Sequence, residues 1–123
     1  MSQSHCYSRT VLVTGSRAPV ALALARSLRA AGFTVYTGDS VRPTLGQFSR
    51  APVADLYLPA PRFTDSETYA EKLAEIVHHH GIQAIVPTCE ETFFLARVAE
   101  TLNGHTGVRV VCPPLAVLER LHD

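Results

Sequence analysis

The chain alternates two kinds of segment, and that alternation constrains its fold more than any other feature. Thr10-Val11-Leu12-Val13-Thr14 is a short, continuous, β-branched apolar run, the pattern of a strand buried on both faces. Four more runs follow it: Thr34 to Thr37, Asp55 to Leu58, Ala84 to Val86 and Val108 to Cys112. Three amphipathic stretches lie among them. In the first, Val20, Leu24 and Leu28 recur at helical spacing, with Arg26 and Arg29 off that stripe. Pro19 suits its first turn and Gly32 its stop.

The second stretch opens at Asp65 or Ser66, good N-caps, and carries Glu67 and Glu71 early, where the helix dipole favours acids. Tyr69, Leu73, Ile76, Val77 and His80 make its apolar stripe, and Gly81 its C-cap. The third runs from about Glu91 to Leu102, with Phe94, Val98 and Leu102 widened by Leu95 and Ala99. Thr88 and Glu91 have the spacing of a capping box. Residues 41–53 read as an ordered loop with a single turn near Leu45–Ser49. The stretch from Pro113 to Leu121 reads as a last helical turn. Strands alternating with helices predict an α/β fold with a parallel sheet. Right-handed crossovers then favour a Rossmann-like open sheet of order 3-2-1-4-5 with helices on both faces.

Composition narrows the function. Eleven Lys and Arg balance eleven Asp and Glu, so no basic surface for nucleic acid is expected. Only 18% of residues are charged and 46% are hydrophobic, which suits a packed domain rather than a disordered chain. No apolar run approaches the ~20 residues of a membrane helix, and the polar N-terminus has no signal-peptide core. Cys6, Cys89 and Cys112 form no CxxC, so a reducing cytoplasm is the expected setting. Residues 1–9 read as a flexible leader and 10–123 as one domain.

In an open doubly wound sheet, ligands bind beyond the strand carboxyl ends where the strand order reverses. Here that point lies between the first and fourth strands. The loop from Gly15 to Pro19, the loop from Pro87 to Glu91 and the pair Asp39-Ser40 converge there. They bring a hydroxyl (Ser16), a cation (Arg17), carboxylates (Asp39, Glu90, Glu91) and a thiol (Cys89) to one crevice. The first helix also aims its N-terminal N–H groups at it. Each residue has a plainer role beside the functional one. Gly15 makes the turn, Arg17 is a solvated loop cation, and Glu90 and Glu91 favour the third helix start. Cys89 has no identifiable base for nucleophilic work. His78-His79-His80 is not a metal tract, because adjacent helical residues point about 100° apart; positive charge in a last helical turn explains it better.

A dinucleotide site is the first family reading to test. Val13-Thr14-Gly15 followed by an Ala-rich helix resembles the opening of short-chain dehydrogenases. Pro19 and Ala21 stand where that family's TGxxxGxG pattern has its later glycines, and Pro19 has no N–H for a pyrophosphate. Arg17 breaks the GxGxxG alternative. Tyr69 and Lys72 are not the family's Tyr-x-x-x-Lys pair.

A second resemblance covers residues 10–123. Val11-Leu12-Val13-Thr14-Gly15-Ser16-Arg17-Ala18-Pro19, Asp39-Ser40, Gln47-Phe48-Ser49-Arg50, Ala54-Asp55-Leu56-Tyr57-Leu58-Pro59-Ala60-Pro61, Ile85-Val86-Pro87-Thr88-Cys89-Glu90-Glu91 and the tail from Leu115 to Asp123 stand in order. Together they resemble the N-terminal (pre-ATP-grasp) domain of ATP-grasp ligases, in the carbamoyl-phosphate-synthetase-like branch. The superfamily also includes biotin carboxylase and D-alanine–D-alanine ligase.

That resemblance implies a domain that forms one wall of an acceptor-substrate site. ATP and Mg²⁺ would be held by ATP-grasp domains that these residues do not include. The ligases activate a carboxylate as an acyl phosphate for attack by an amine. By the resemblance, Gly15, Ser16, Arg17 and Glu90 would contact a small-molecule acceptor, with Glu90 matching an acidic residue near the acceptor amine; Asp39 and Ser40 would form the third side of the crevice, and Thr88 is expected among the binding residues. The expected partners are the ATP-grasp domains and the acceptor, with a homodimer possible and neither nucleic acid nor membrane involved. No cofactor is expected in this chain, and no ATP turnover by it alone. An NAD(P)-binding domain and a non-catalytic assembly module remain the alternatives.

Overall fold

In the computed structural model, the described residues are 9–41, 44, 47, 49–50, 52–60, 65–88 and 91–111. They form β1 (Thr10–Thr14), α1 (Pro19–Ala30), β2 (Thr34–Asp39), β3 (Asp55–Tyr57), α2 (Ser66–His80), β4 (Ala84–Val86), α3 (Glu91–Thr106) and β5 (Arg109–Val110). The five strands make one sheet of order β3-β2-β1-β4-β5. Each pairing is parallel, with Leu12 opposite both Tyr36 and Ile85 at the centre. The α/β class and strand order expected from the alternating pattern are therefore present.

Two cores sandwich the sheet. Leu12, Leu73, Val77, Ile85, Leu95, Val98 and Leu102 are buried in the larger one, built by α2 and α3. Val11, Val13 and Val35 meet Ala21 and Ala25 of α1 in the smaller. Strand residues alternate between faces, so β1 supplies Leu12 to one core and its neighbours to the other.

Two local expectations need correction. The apolar stripe of α1 is rotated from Val20, Leu24 and Leu28: Val20 is 57% exposed, while Ala21, Leu22 and Ala25 are buried. Alanine lets a helix approach the sheet closely, and Leu24 and Leu28 then flank the contact. Next, α3 continues one turn past Leu102 and stops before Gly107. Gly107 takes φ +78°, and its N–H reaches the Asn103 carbonyl at 2.7 Å. The Thr106 hydroxyl donates to the Leu102 carbonyl and the Asn103 amide to the Val108 carbonyl, which closes that end. The expected capping box of Thr88 and Glu91 runs through residues outside the described ones.

Asp65 does cap α2, accepting from the Thr68 N–H at 2.8 Å, and Gly81 ends that helix. β2 runs two residues beyond Thr37, carrying Gly38 and Asp39 inside the strand. The turn expected near Leu45–Ser49 is seen in part, as the Gln47 N–H bonds back to the Thr44 carbonyl at 3.3 Å. Most of the leader, Cys6, Cys89, Cys112 and the expected last turn to Leu121 lie outside the described residues.

Candidate functional site

The carboxyl ends of β1, β2 and β4 meet as the topology requires. β1 enters its loop through Gly15, at φ +85°, a conformation L side chains rarely adopt. The space there is closed as well: a Cβ on Gly15 would overlap the Thr88 hydroxyl oxygen and press on the Thr88 carbonyl. The N–H groups of Gly15 and Ser16 both donate to the Gly38 carbonyl, at 2.8 and 3.2 Å. Gly38 lacks a side chain because one would run into Leu58.

Asp39 is the polar centre of this rim and is fully buried. Its Oδ2 accepts the Arg17 backbone N–H and the Arg17 Nε–H, each at 3.0 Å. Its Oδ1 accepts the Ser40 N–H at 2.7 Å and the Val41 N–H at 3.3 Å. A carboxylate has about four acceptor positions, and four donors of the chain itself meet this one. The Arg17 side chain is 39% exposed at the rim. Asp39 thus ties the loop after β1 to the loop after β2.

Thr88 does the same between β1 and β4. Its hydroxyl donates to the Thr14 carbonyl at 2.6 Å, so the gap between the two strand ends is bridged. Behind the rim, the hydroxyl oxygens of Thr14 and Ser16 are buried without a hydrogen-bond partner. At the top of α1 the N-cap is Ala18, which makes no side-chain cap, and no acid stands in the first turn. The N-terminal end of that helix therefore keeps its partial positive charge uncompensated by its own side chains.

Gly15, Ser16, Arg17, Asp39, Ser40 and Thr88 are accordingly one neighbourhood, held together by Gly38 as well. Glu90 lies outside the described residues, as does the side chain of Glu91. A second polar chain went unread in the sequence: Asp55 accepts the hydroxyls of Thr37, at 2.5 Å, and Thr44, at 2.8 Å. Thr37 in a strand signals β propensity first and Thr44 sits in a loop, which hid this role. The His78–His80 tract ends α2, with the His80 ring edge-on to Tyr36 and its Nδ1 3.0 Å from the Ile76 carbonyl. Among the described residues, no three His, Cys, Asp or Glu side chains group as a metal site would need. Among the same residues, no helix is long and apolar enough to cross a membrane.

Among solved structures, the chain is similar to the biotin carboxylase subunit of pyruvate carboxylase, with TM-score 0.65 and 18% identity. That match covers 94% of this chain and 25% of the other. The fold is that of a biotin carboxylase N-terminal domain. A second match is Rhizobium etli pyruvate carboxylase, in a variant with its allosteric activator acetyl coenzyme-A, at TM-score 0.65 and 15% identity. It covers 94% of this chain and 12% of that one. No family model matches the sequence, and no curated protein matches it. This chain therefore spans a quarter or less of each of these two chains.

Proposed function

We propose that this chain is the substrate-side domain of an ATP-dependent ligase of the ATP-grasp type, inactive without its ATP-grasp domains. The observation that carries the reading is the likeness of 94% of the chain to part of a biotin carboxylase. The ordered motifs from Gly15 to Glu90 support it independently. They favour the carbamoyl-phosphate-synthetase-like branch, which is the finer form of the proposal. ATP and Mg²⁺ would bind to the later domains, and no step runs through them here.

In this reading the rim receives an acceptor substrate with an anionic group. The uncapped end of α1 and the Arg17 guanidinium supply positive potential on one side. Gly15 and Ser16 form the floor and Ser40 and Thr88 the sides, with Glu90 placed toward the acceptor amine by the resemblance. A cytoplasmic setting and a small-molecule acceptor belong to the same proposal.

Two features weigh against the dinucleotide alternative. In dinucleotide-binding folds a carboxylate after the second strand accepts the ribose hydroxyls. Asp39 is fully buried and meets four donors of its own chain. The Thr88–Thr14 bond also spans the gap at the switch point. A thermal-shift comparison tests the two readings. Inorganic phosphate is expected to raise the melting temperature and NADPH is not. A ligand at 100 times its Kd adds about 2.7 kcal/mol of apparent stability, so tight NADPH binding would be plain. An NADPH shift that phosphate does not match would replace this proposal with the oxidoreductase reading.

A further inference from the structure

We propose that Asp39 is a positioning residue that acts through Arg17 and does not itself meet the ligand. The convergence of loops groups Asp39 with the expected ligand-contacting residues, and the geometry separates it from them. Its side chain is fully buried, whereas that of Arg17 is 39% exposed. Its two oxygens accept from Arg17 twice, from Ser40 and from Val41.

The pair of hydrogen bonds from Arg17 is what orients the guanidinium. The backbone N–H and Nε–H of one residue converge on one oxygen, Oδ2. That closes a ring through the Arg17 side chain and restricts its rotamers. The side-chain bond is made at Nε, the guanidinium nitrogen nearest the aliphatic stem. The other oxygen holds the β2 loop at Ser40 and Val41. A buried carboxylate with charge-assisted bonds on both oxygens is a stiff anchor. It spares an anionic ligand the entropy of ordering a long side chain. This inference rests on the proposed function only for what Arg17 is presented to.

The latch is testable without a ligand. In nuclear magnetic resonance spectra, the Arg17 Nε–Hε signal is assigned by its loss in Arg17→Lys. It is expected to exchange slowly with water in the unmodified chain. In Asp39→Asn its exchange is expected to accelerate by about tenfold or more, as one charge-assisted hydrogen bond is lost. The backbone amide spectrum should stay dispersed. A rapidly exchanging Arg17 Hε in the unmodified chain overturns the proposal, and so does an unchanged one in a folded Asp39→Asn. If Asp39→Asn does not fold, the unmodified chain still decides.

Phosphate binding then separates orientation from contact. With inorganic phosphate as probe, Asp39→Asn is expected to weaken binding by about as much as Arg17→Lys, roughly tenfold. Added to Arg17→Lys, it should weaken binding no further. A multiplied loss in the double variant means Asp39 touches the ligand and overturns the proposal. Phosphate that binds to none of these proteins defeats the anionic-acceptor reading, while the Hε signal still decides the latch.

Discussion

The two faces of the sheet are built on different plans. The face under α2 and α3 is filled by bulky aliphatic side chains: Leu12, Leu73, Ile85, Leu95 and Leu102 are all fully buried. The face under α1 has valines against alanines, and toward its carboxyl end it turns polar. Val35 and Thr37 lie on that face, and Asp39 follows at the same alternation. Asp55 stands opposite Thr37 in the register. One face secures the fold by volume. The other trades volume for close helix approach and for the hydrogen bonds that shape the rim.

The largest test of that contrast is Leu95→Ala on the bulky face, expected to cost about 2–5 kcal/mol in urea unfolding. Val13→Ala on the α1 face removes less volume and should cost less. Equal costs would break the contrast. Ala25→Leu reverses the logic, because added volume has no room under α1. It is expected to destabilise by about 1–3 kcal/mol, and a stabilised variant would show that the close approach is not needed.

Gly15→Ala tests the rim itself. Its φ of +85° and the overlap with Thr88 both oppose a side chain. A cost of about 1–3 kcal/mol is expected from strain of this kind. Thr88→Ala removes the overlapping oxygen, so the double variant should cost less than the two single ones together. Strict additivity would mean that the two residues do not meet.

The smallest effect belongs to Asp65, an exposed counterpart of Asp39. The Thr68 backbone N–H, and then its hydroxyl, hold the Asp65 carboxyl below its ordinary 3.8. A folded value below the unfolded one stabilises the protein above pH 3.8 and loses that contribution as pH falls through the folded value. The melting-temperature gap between the unmodified chain and Asp65→Ala should therefore be widest near neutral pH and narrow in acid. A gap that widens in acid would contradict the capping account.

Much of this architecture was legible in the sequence. The run from Thr10 to Thr14 and the Asp65 and Gly81 caps carry local signals that the tertiary structure does not override. The strand order followed from handedness alone. The α1 stripe was misread because hydropathy ranks Val20 above Ala21 and Ala25, whereas close packing selects the smaller residues. The apolar stripe of α3 ends at Leu102, while the bonds at the helix end come from Thr106 and Gly107, beyond that stripe. The nearness of Gly15, Ser16 and Arg17 to Asp39, Ser40 and Thr88 was legible from the meeting of three loops at one crevice. The division of labour within it was not. Asp39 as a letter is an exposed acid or a ligand contact, and only the fold shows its oxygens turned to Arg17, Ser40 and Val41.

In the proposed reading the rim is a site for an anionic acceptor and not for a dinucleotide. The most direct measurement is amide chemical-shift mapping of the chain during separate titrations with inorganic phosphate and NADPH. The account predicts saturable phosphate-induced shifts at Gly15, Ser16, Arg17 and Ser40 that disappear in Arg17→Ala, with no saturable NADPH response there. Saturable NADPH shifts centred on Gly15 and Asp39, or phosphate shifts scattered away from this rim, would contradict it.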